Sequence, residues 1–412
     1  MVTPTPEMCI ACKGGRNLCG EPCILLAKID RRLPQLRITS QDIQGTSPPS
    51  VFVGRYGYPN VSAGPLLPPL HLEHPKAASL DDPAAWTHGS IEEVLGMRSS
   101  LLRTRARVRV HDARRPPPIL GVTQELALAA RPVDAEVHLV KRPNLELVAR
   151  VDDTATAMGP SVEADRARLV ENAPVPRLVD RLFEDTHAKA ATSVTELYQG
   201  GLTPYKIEPM LSLGLLGVPT ERRLVPTRWS ITATDDILGR QLVPRVLEQP
   251  SLDRVEVYAT RLHGNEFHVL LLPTGWSFDM IEVWMKGAMW ALETSPFIED
   301  WEDWRGRKGY ASHITGAYYA ARLSVLEHLT TRRRQAAAFV YREITPDYWA
   351  PLGVWVIREA VKLALQSQPI SFETTSDAIA YTESRTRRKG WARASKLLGD
   401  LRGQRRITEY VT

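Results

Sequence analysis

All four cysteines of the chain fall inside one stretch, CIACKGGRNLCGEPC, at Cys9, Cys12, Cys19 and Cys23. A C-x2-C step and a C-x3-C step can each place two thiolates on one ion from a tight turn, and Gly14, Gly15 and Gly20 give those turns backbone freedom. The expectation is a tetrahedral zinc site with four thiolate ligands. Two disulfides would suit an oxidising compartment, but MVTPTPEMC has neither a basic n-region nor an apolar h-region of a secretory leader, so a reducing cytoplasm is expected. An iron–sulfur cluster usually shows tighter or differently spaced thiols. With every ligand position filled by protein, such a zinc would be structural, folding a segment too poor in apolar surface to fold alone.

The second chemistry is basic. The formal charge of +5 is unevenly spread. Arg98 to Arg115 holds seven arginines against Asp112, and Arg385 to Arg406 holds nine lysines or arginines against Asp400, which leaves the rest of the chain net acidic. A concentrated positive field attracts a polyanion. Neither patch has an obvious Trp/Leu anchor for a membrane beside it, so the expected partner is DNA and no membrane contact is foreseen. The DNA-binding candidates are Arg103, Arg105, Arg107 and Arg109 in the first patch and Arg387, Arg388 and Lys389 in the second.

Catalytic candidates are less specific. TRWSITATDD offers Arg228, Trp229, Asp235 and Asp236, but an acidic pair is also what a helix N-terminus favours through its dipole. Glu299, Asp300, Glu302 and Asp303 stand beside Arg305, Arg307 and Lys308, as Mg²⁺ ligands beside phosphate-binding cations would, or as a self-neutralising turn. His263, His268 and His313 have no Cys or Asp partner at a diagnostic spacing. No GxSxG, P-loop, GxGxxG or HExxH motif occurs, and the sequence assigns no catalytic residue. GRYGYPNVSAG reads as a turn after a strand or a phosphate cradle, and Tyr318 and Tyr319 as base-stacking or core residues.

The elements that must position these groups are legible in part. SVFVGRYGYP reads as a strand running into a turn. RTRARVRV alternates with period two, putting Arg103, Arg105, Arg107 and Arg109 on one face. Ser90 and Glu93 make a capping box that starts a helix. VEVYATRL and EFHVLLLPT read as two strands joined around His263, Gly264 and Asn265. Beyond Met280, the stretches from Ile314 to Phe339 and from Pro346 to Gln368 have helical spacing. A chain of 412 residues exceeds one compact core. The expected fold is therefore α+β: a four-cysteine zinc module (1–30), a mixed N-terminal α/β domain (31–275), a mainly helical C-terminal domain (276–400) and a flexible tail (401–412). No window approaches the roughly 18 apolar residues of a bilayer span.

The strings SVFVGRYGYPNVSAGPL, VPTRWSITATDD, GRKGYASHITGAYYAARLSVLEHL and RRRQAAAFVYREITPDYWAPLGVWVIREA, with the four-cysteine module, resemble the archaeal Nre DNA-repair proteins over nearly the whole chain. The resemblance implies a role in archaeal DNA repair and, for members with the right tail, binding to the sliding clamp, proliferating cell nuclear antigen (PCNA). It implies no settled catalytic activity; a DNA-binding repair protein is the first reading, and a clamp-recruited DNA-processing enzyme, nuclease or nucleotide-modifying, is the alternative. The chain ends on QRRITEYVT, and Gln404, Ile407, Tyr410 and Val411 fit the Gln-x-x-aliphatic-x-x-aromatic-aromatic pattern of clamp-binding peptides, with Val411 in place of the second aromatic. In one helical turn Ile407, Tyr410 and Val411 share a face and would plug an apolar groove. The preceding RTRRKGWARASKLLGDLRG would act as a basic, partly helical tether, with Gly399 and Gly403 as flexible points.

Overall fold

The computed structural model of the protein describes residues 38–142, 154–291 and 295–403, side chains through 401, together with residues 5, 8 and 18–21. The chain forms two compact units, one chiefly from residues up to Leu238 and the other chiefly from Gly239 onward.

The N-terminal unit is built on six strands: β1 (Asp42–Ser47), β2 (Val51–Val53), β3 (Asn60–Leu67), β4 (Leu102–Arg109), β5 (Val133–Leu139) and β6 (Ser161–Leu169). They join in the order β1-β5-β6-β4-β3-β2, antiparallel except for the β4/β6 pair. Strand β5, VDAEVHL, alternates buried and half-buried positions and sends Val133, Ala135, Val137 and Leu139 inward, the signature of a sheet packed on one face. Its core includes Ile43, Leu67, Leu102, Val162 and Ile119. Ile119 comes from α3 (Pro118–Leu128), which among the described residues follows α1 (His74–Ser79) and α2 (Ile91–Ser99). The α2 start is the capping box its sequence predicts: Glu93 N donates to Ser90 Oγ (3.1 Å) and Ser90 N to Glu93 Oε2 (2.6 Å). Helices α4 (Arg177–Glu184), α5 (Ala190–Gln199) and α6 (Pro204–Ser212) follow, then α7 (Thr227–Leu247), whose first half belongs to this unit.

The C-terminal unit also carries six strands: β7 (Val255–Leu262), β8 (Asn265–Leu272), β9 (Ser277–Trp284), β10 (Ile298–Glu302), β11 (Ala337–Ile344) and β12 (Ile370–Phe372), in the order β10-β9-β11-β8-β7-β12. The β7–β8 hairpin turns at His263 and Gly264, both at positive φ, as a two-residue primed turn requires. The helices are α8 (Gly316–Arg332), α9 (Trp355–Gln366), α10 (Thr375–Arg385), α11 (Trp391–Ala394) and α12 (Lys396–Gly403). The expectation of a mainly helical C-terminal region is thereby corrected to a mixed α+β unit. AAAF, expected to continue α8, opens β11 instead. The helix ends at Arg333 in the left-handed region, and Ala336, Ala337 and Ala338 are fully buried. β11 pairs with β8 on one side and β9 on the other, and this pairing outweighs alanine's helix preference.

The basic segment after Arg385 is not a tether either. Trp391 is fully buried and stacks on Phe339 and Tyr341, both at 5.1 Å between ring centroids, while Leu397 and Leu398 join the same core. Truncating such a Trp costs about 3–5 kcal/mol, enough to hold the segment against the sheet.

Candidate nucleic-acid interface

Strand β4 pairs antiparallel with β3, so Arg109 stands across from Asn60, Arg107 from Ser62 and Arg103 from Leu66. One face carries the four arginines, as the period of two predicts. They do not share one environment. Arg103 is buried, its guanidinium lying over the Phe52 ring at 4.8 Å, so it is withdrawn from the surface, contrary to its expected DNA-binding role. Arg105, Arg107 and Arg109 are exposed. β6 pairs with β4 only over Arg103 to Arg105, where Glu163 faces Arg105. Arg107 and Arg109 lie beyond that pairing, with the small polar residues of β3 as their cross-strand neighbours. Elsewhere in this cluster Arg98 is buried on Asp81 (2.6 Å) and Arg114 donates to the carbonyls of Thr220 and Arg222.

The loop joining β2 to β3 borders these arginines. Gly57, at φ +82°, closes it by accepting from Asn60 N (2.8 Å); a Cβ there would come within 3.1 Å of Arg107 Nη2, so glycine lets the Arg107 head lie along the loop. The loop presents Tyr56, 66% exposed, with the Arg55 guanidinium 5.1 Å from its ring centre. Tyr58 is exposed too and meets the exposed Trp229 ring at 5.5 Å. Trp229 is held there because Val53 N donates to Thr227 Oγ1 (2.9 Å), fixing the first turn of α7 to the end of β2. Three exposed aromatic rings among Arg55, Arg105, Arg107 and Arg109 combine π-faces for bases with cations for phosphates. The sequence reading missed Tyr56 and Tyr58 and set Trp229 with the acidic pair Asp235 and Asp236 instead of with a DNA-binding face. GRYGYP between two strands and TRW at a helix start were the signals, but only the fold brings them together.

A small cleft lies beside the same elements, lined by Ser50, Val51, Asp81, Arg98, Glu208 and Thr227 among others. Burial lowers the Arg98 pKa while Asp81 opposes that shift. Arg98 also donates to the carbonyls of Ala157 (3.0 Å) and Leu80 (3.1 Å), so this cation serves the fold and not the surface.

The second basic patch is largely spent on its own unit. Arg387 Nη2 pairs with Glu266 (2.8 Å), and the backbone N–H groups of Arg387 and Arg388 donate to Glu343 (3.1 and 2.7 Å). Arg388 lies over Phe297, and Lys389 donates to the carbonyls of Glu383 and Thr386.

The acidic candidates are likewise dispersed among separate partners. Asp235 is buried and Asp236 half-buried within α7. Buried Asp300 accepts from the backbone of His313 (3.0 Å) and Ile314 (2.7 Å) and pairs with Arg307 (3.0 Å). Buried Glu302 pairs with Arg322 at 2.6 Å, Glu299 accepts from Lys396 N at 2.5 Å, and Asp303 accepts from Arg305 N at 2.8 Å. Among the described residues no group of three or more His, Cys, Asp or Glu is placed to hold a metal ion. Tyr318 and Tyr319 are both core residues, and His268 is buried, its pKa lowered to about 4 by desolvation. Cys19 is described, its thiol 3.6 Å from the Glu21 carbonyl; Cys9, Cys12 and Cys23, like Gln404, Ile407, Tyr410 and Val411, lie outside the described residues. Among the described residues no helix is long and apolar enough to cross a membrane.

Two family models match the chain, "Archaeal Nre, N-terminal" over residues 18–291 and "Archaeal Nre, C-terminal" over residues 302–410. The DNA repair protein NreA of Haloferax volcanii is 43% identical over 83% of this chain and 82% of its own length. In Archaeoglobus fulgidus, the DNA repair protein NreA is 39% identical over 93% of this chain and 95% of its own, and the DNA repair protein NreB 35% identical over 91% and 92%. No solved structure matches the chain.

Proposed function

We propose, from the premise that this chain belongs to the archaeal Nre family, that it is a DNA repair protein that binds DNA on the β4 face of its N-terminal unit. The observation that carries the reading is the cluster of exposed Arg105, Arg107 and Arg109 beside exposed Tyr56, Tyr58 and Trp229. Cations neutralise phosphates and release counterions, giving affinity without sequence preference, while the aromatic rings engage bases wherever a lesion or branch unstacks them. The C-terminal residues Gln404, Ile407, Tyr410 and Val411 recruit the protein to the sliding clamp, PCNA. The four cysteines Cys9, Cys12, Cys19 and Cys23 hold one structural zinc; four thiolates are the donor set zinc prefers, and the ion's contribution is to fold the residues around it.

The deciding experiment measures duplex affinity against salt for the wild type and for Arg107→Ala with Arg109→Ala. Each lost phosphate contact flattens the slope of log affinity against log salt by about one unit, so the double variant should lose roughly two. An unchanged slope sinks the β4 interface. Separately, Ile407→Ala with Tyr410→Ala should abolish clamp binding and leave the salt slope intact, because a terminal peptide binds through a few anchors. Metal analysis should find about one zinc per chain, lost in Cys12→Ser.

A further inference from the structure

A second set of exposed aromatics sits in the C-terminal unit, on the loop between β10 and α8. Trp304 and Tyr310 are each 55% exposed, in a loop wired firmly from within. Arg307 donates through Nη1 to the Trp301 carbonyl (2.7 Å), through Nε to that of Gly309 (3.3 Å) and through Nη2 to that of Tyr310 (3.4 Å). Its Nη2 also pairs with buried Asp300 at 3.0 Å, and its guanidinium lies 5.2 Å from the centre of the buried Tyr318 ring. Asp300 holds the far end of the loop through the N–H groups of His313 and Ile314. Tyr319, buried on α8, accepts from Ala311 N (2.9 Å) and stacks under Tyr310 at 5.5 Å and 26°. The loop is therefore pinned by buried Asp300, by half-buried Arg307 and by a tyrosine stack, yet it holds two large rings in water.

Exposed aromatic surface is unfavourable unless a partner covers it, and the charge around these rings selects the partner. Arg305 lies over the Trp304 ring at 4.7 Å and is only loosely tied to Asp303 (3.8 Å), and Lys308 is exposed. A neutral apolar protein surface would strand these cations. A duplex offers phosphates but hides its base faces, whereas a single strand offers both.

We infer that residues 303–315 form a platform for single-stranded nucleic acid, with unpaired bases stacking on Trp304 and Tyr310 and the phosphates between them meeting Arg305 and Lys308. The platform lies in the C-terminal unit, is separate from the β4 face and does not depend on it. Stacking of one base on one such ring is worth about 1–3 kcal/mol, or about fivefold to 150-fold in affinity.

Fluorescence anisotropy on the full chain tests this with labelled oligo(dT) and a labelled hairpin duplex. Trp304→Ala with Tyr310→Ala should weaken oligo(dT) binding by at least tenfold and leave the duplex within about twofold. Trp304→Phe with Tyr310→Phe, which keeps both π-faces, should stay near wild type. Arg305→Gln with Lys308→Gln should flatten the oligo(dT) salt slope by more than one unit, near 0.7 per lost contact. Oligo(dT) affinity unchanged in the double alanine variant, or equal losses for oligo(dT) and duplex, overturns the platform. Thermal unfolding of each variant separates a lost contact from a lost fold. Because the duplex salt slope of Arg107→Ala with Arg109→Ala is read independently, failure of the β4 interface and failure of this platform give different patterns.

Discussion

The two sheets have the same strand number and each contains one parallel pair, yet they treat arginine in opposite ways. On β4, Arg107 and Arg109 face Ser62 and Asn60 across the ladder, and both guanidinium groups reach the surface. On β11, Arg342 faces Glu282 in the parallel register with β9; the pair closes at 2.5 Å, and Asn265 Oδ1 accepts from Arg342 Nε (3.0 Å) and Nη2 (2.6 Å), all in a buried site. The difference lies in what stands opposite. Glu282 and Asn265 offset the desolvation of Arg342 through pairing and hydrogen bonds, whereas Ser62 and Asn60 bring no charge to Arg107 and Arg109, and these two cations stay in water where a polyanion can reach them. A count of arginines along the chain therefore says little about where a binding face lies.

The sharpest way to break this contrast is to remove one partner of the internal pair. Arg342→Ala leaves Glu282 buried and uncompensated and should cost about 3–5 kcal/mol in urea unfolding, whereas Arg107→Ala should cost less than about 0.5 kcal/mol. Similar losses for the two would mean that β11 carries no more internal charge than β4.

Acid probes the same contrast through titration. Burial holds His268 and His328 down at about 4, with Arg385 and Arg332 respectively lowering them further and Glu266 and Glu256 opposing. Each binds a proton near pH 6.5 when unfolded but not until about pH 4 when folded, so stability rises with pH across that window and is lost as pH falls through it. The loss reaches at most about 3 kcal/mol per histidine. His268→Gln should flatten the stability profile between pH 6.5 and 4. Arg107→Ala should leave the profile unchanged because arginine does not titrate there, and a profile equally steep in His268→Gln would remove His268 as a source.

A smaller effect calibrates the N-terminal unit. Ser90→Ala breaks the capping box of α2 and should cost about 1 kcal/mol, seen as a lower urea midpoint with an unchanged slope. Smallest of all, Arg107→Ala with Arg109→Ala should shift stability by no more than about 0.5 kcal/mol while changing DNA binding. A larger shift would show that the β4 cations serve the fold, as those of β11 do.

What the sequence determined by itself was local. The Ser90–Glu93 capping box, the His263–Gly264 hairpin and the one-sided arginines of β4 each follow from contacts or periodicity within a few residues, and the long strings that match the Nre family need no coordinates. Tertiary structure decided which charges stay in water and which rings face it. Arg103 looks like Arg107 in the sequence but is covered by Phe52. AAAF has helical composition but is claimed by strands on both sides. Arg387 looks free but meets Glu266, and Trp391 sits in a basic run but closes a core. Tyr58 meets Trp229 only because Val53 and Thr227 join β2 to α7. Burial and pairing depend on residues far apart in the chain, and the desolvation that makes a charge or a ring costly to bury is set by those neighbours rather than by its own segment.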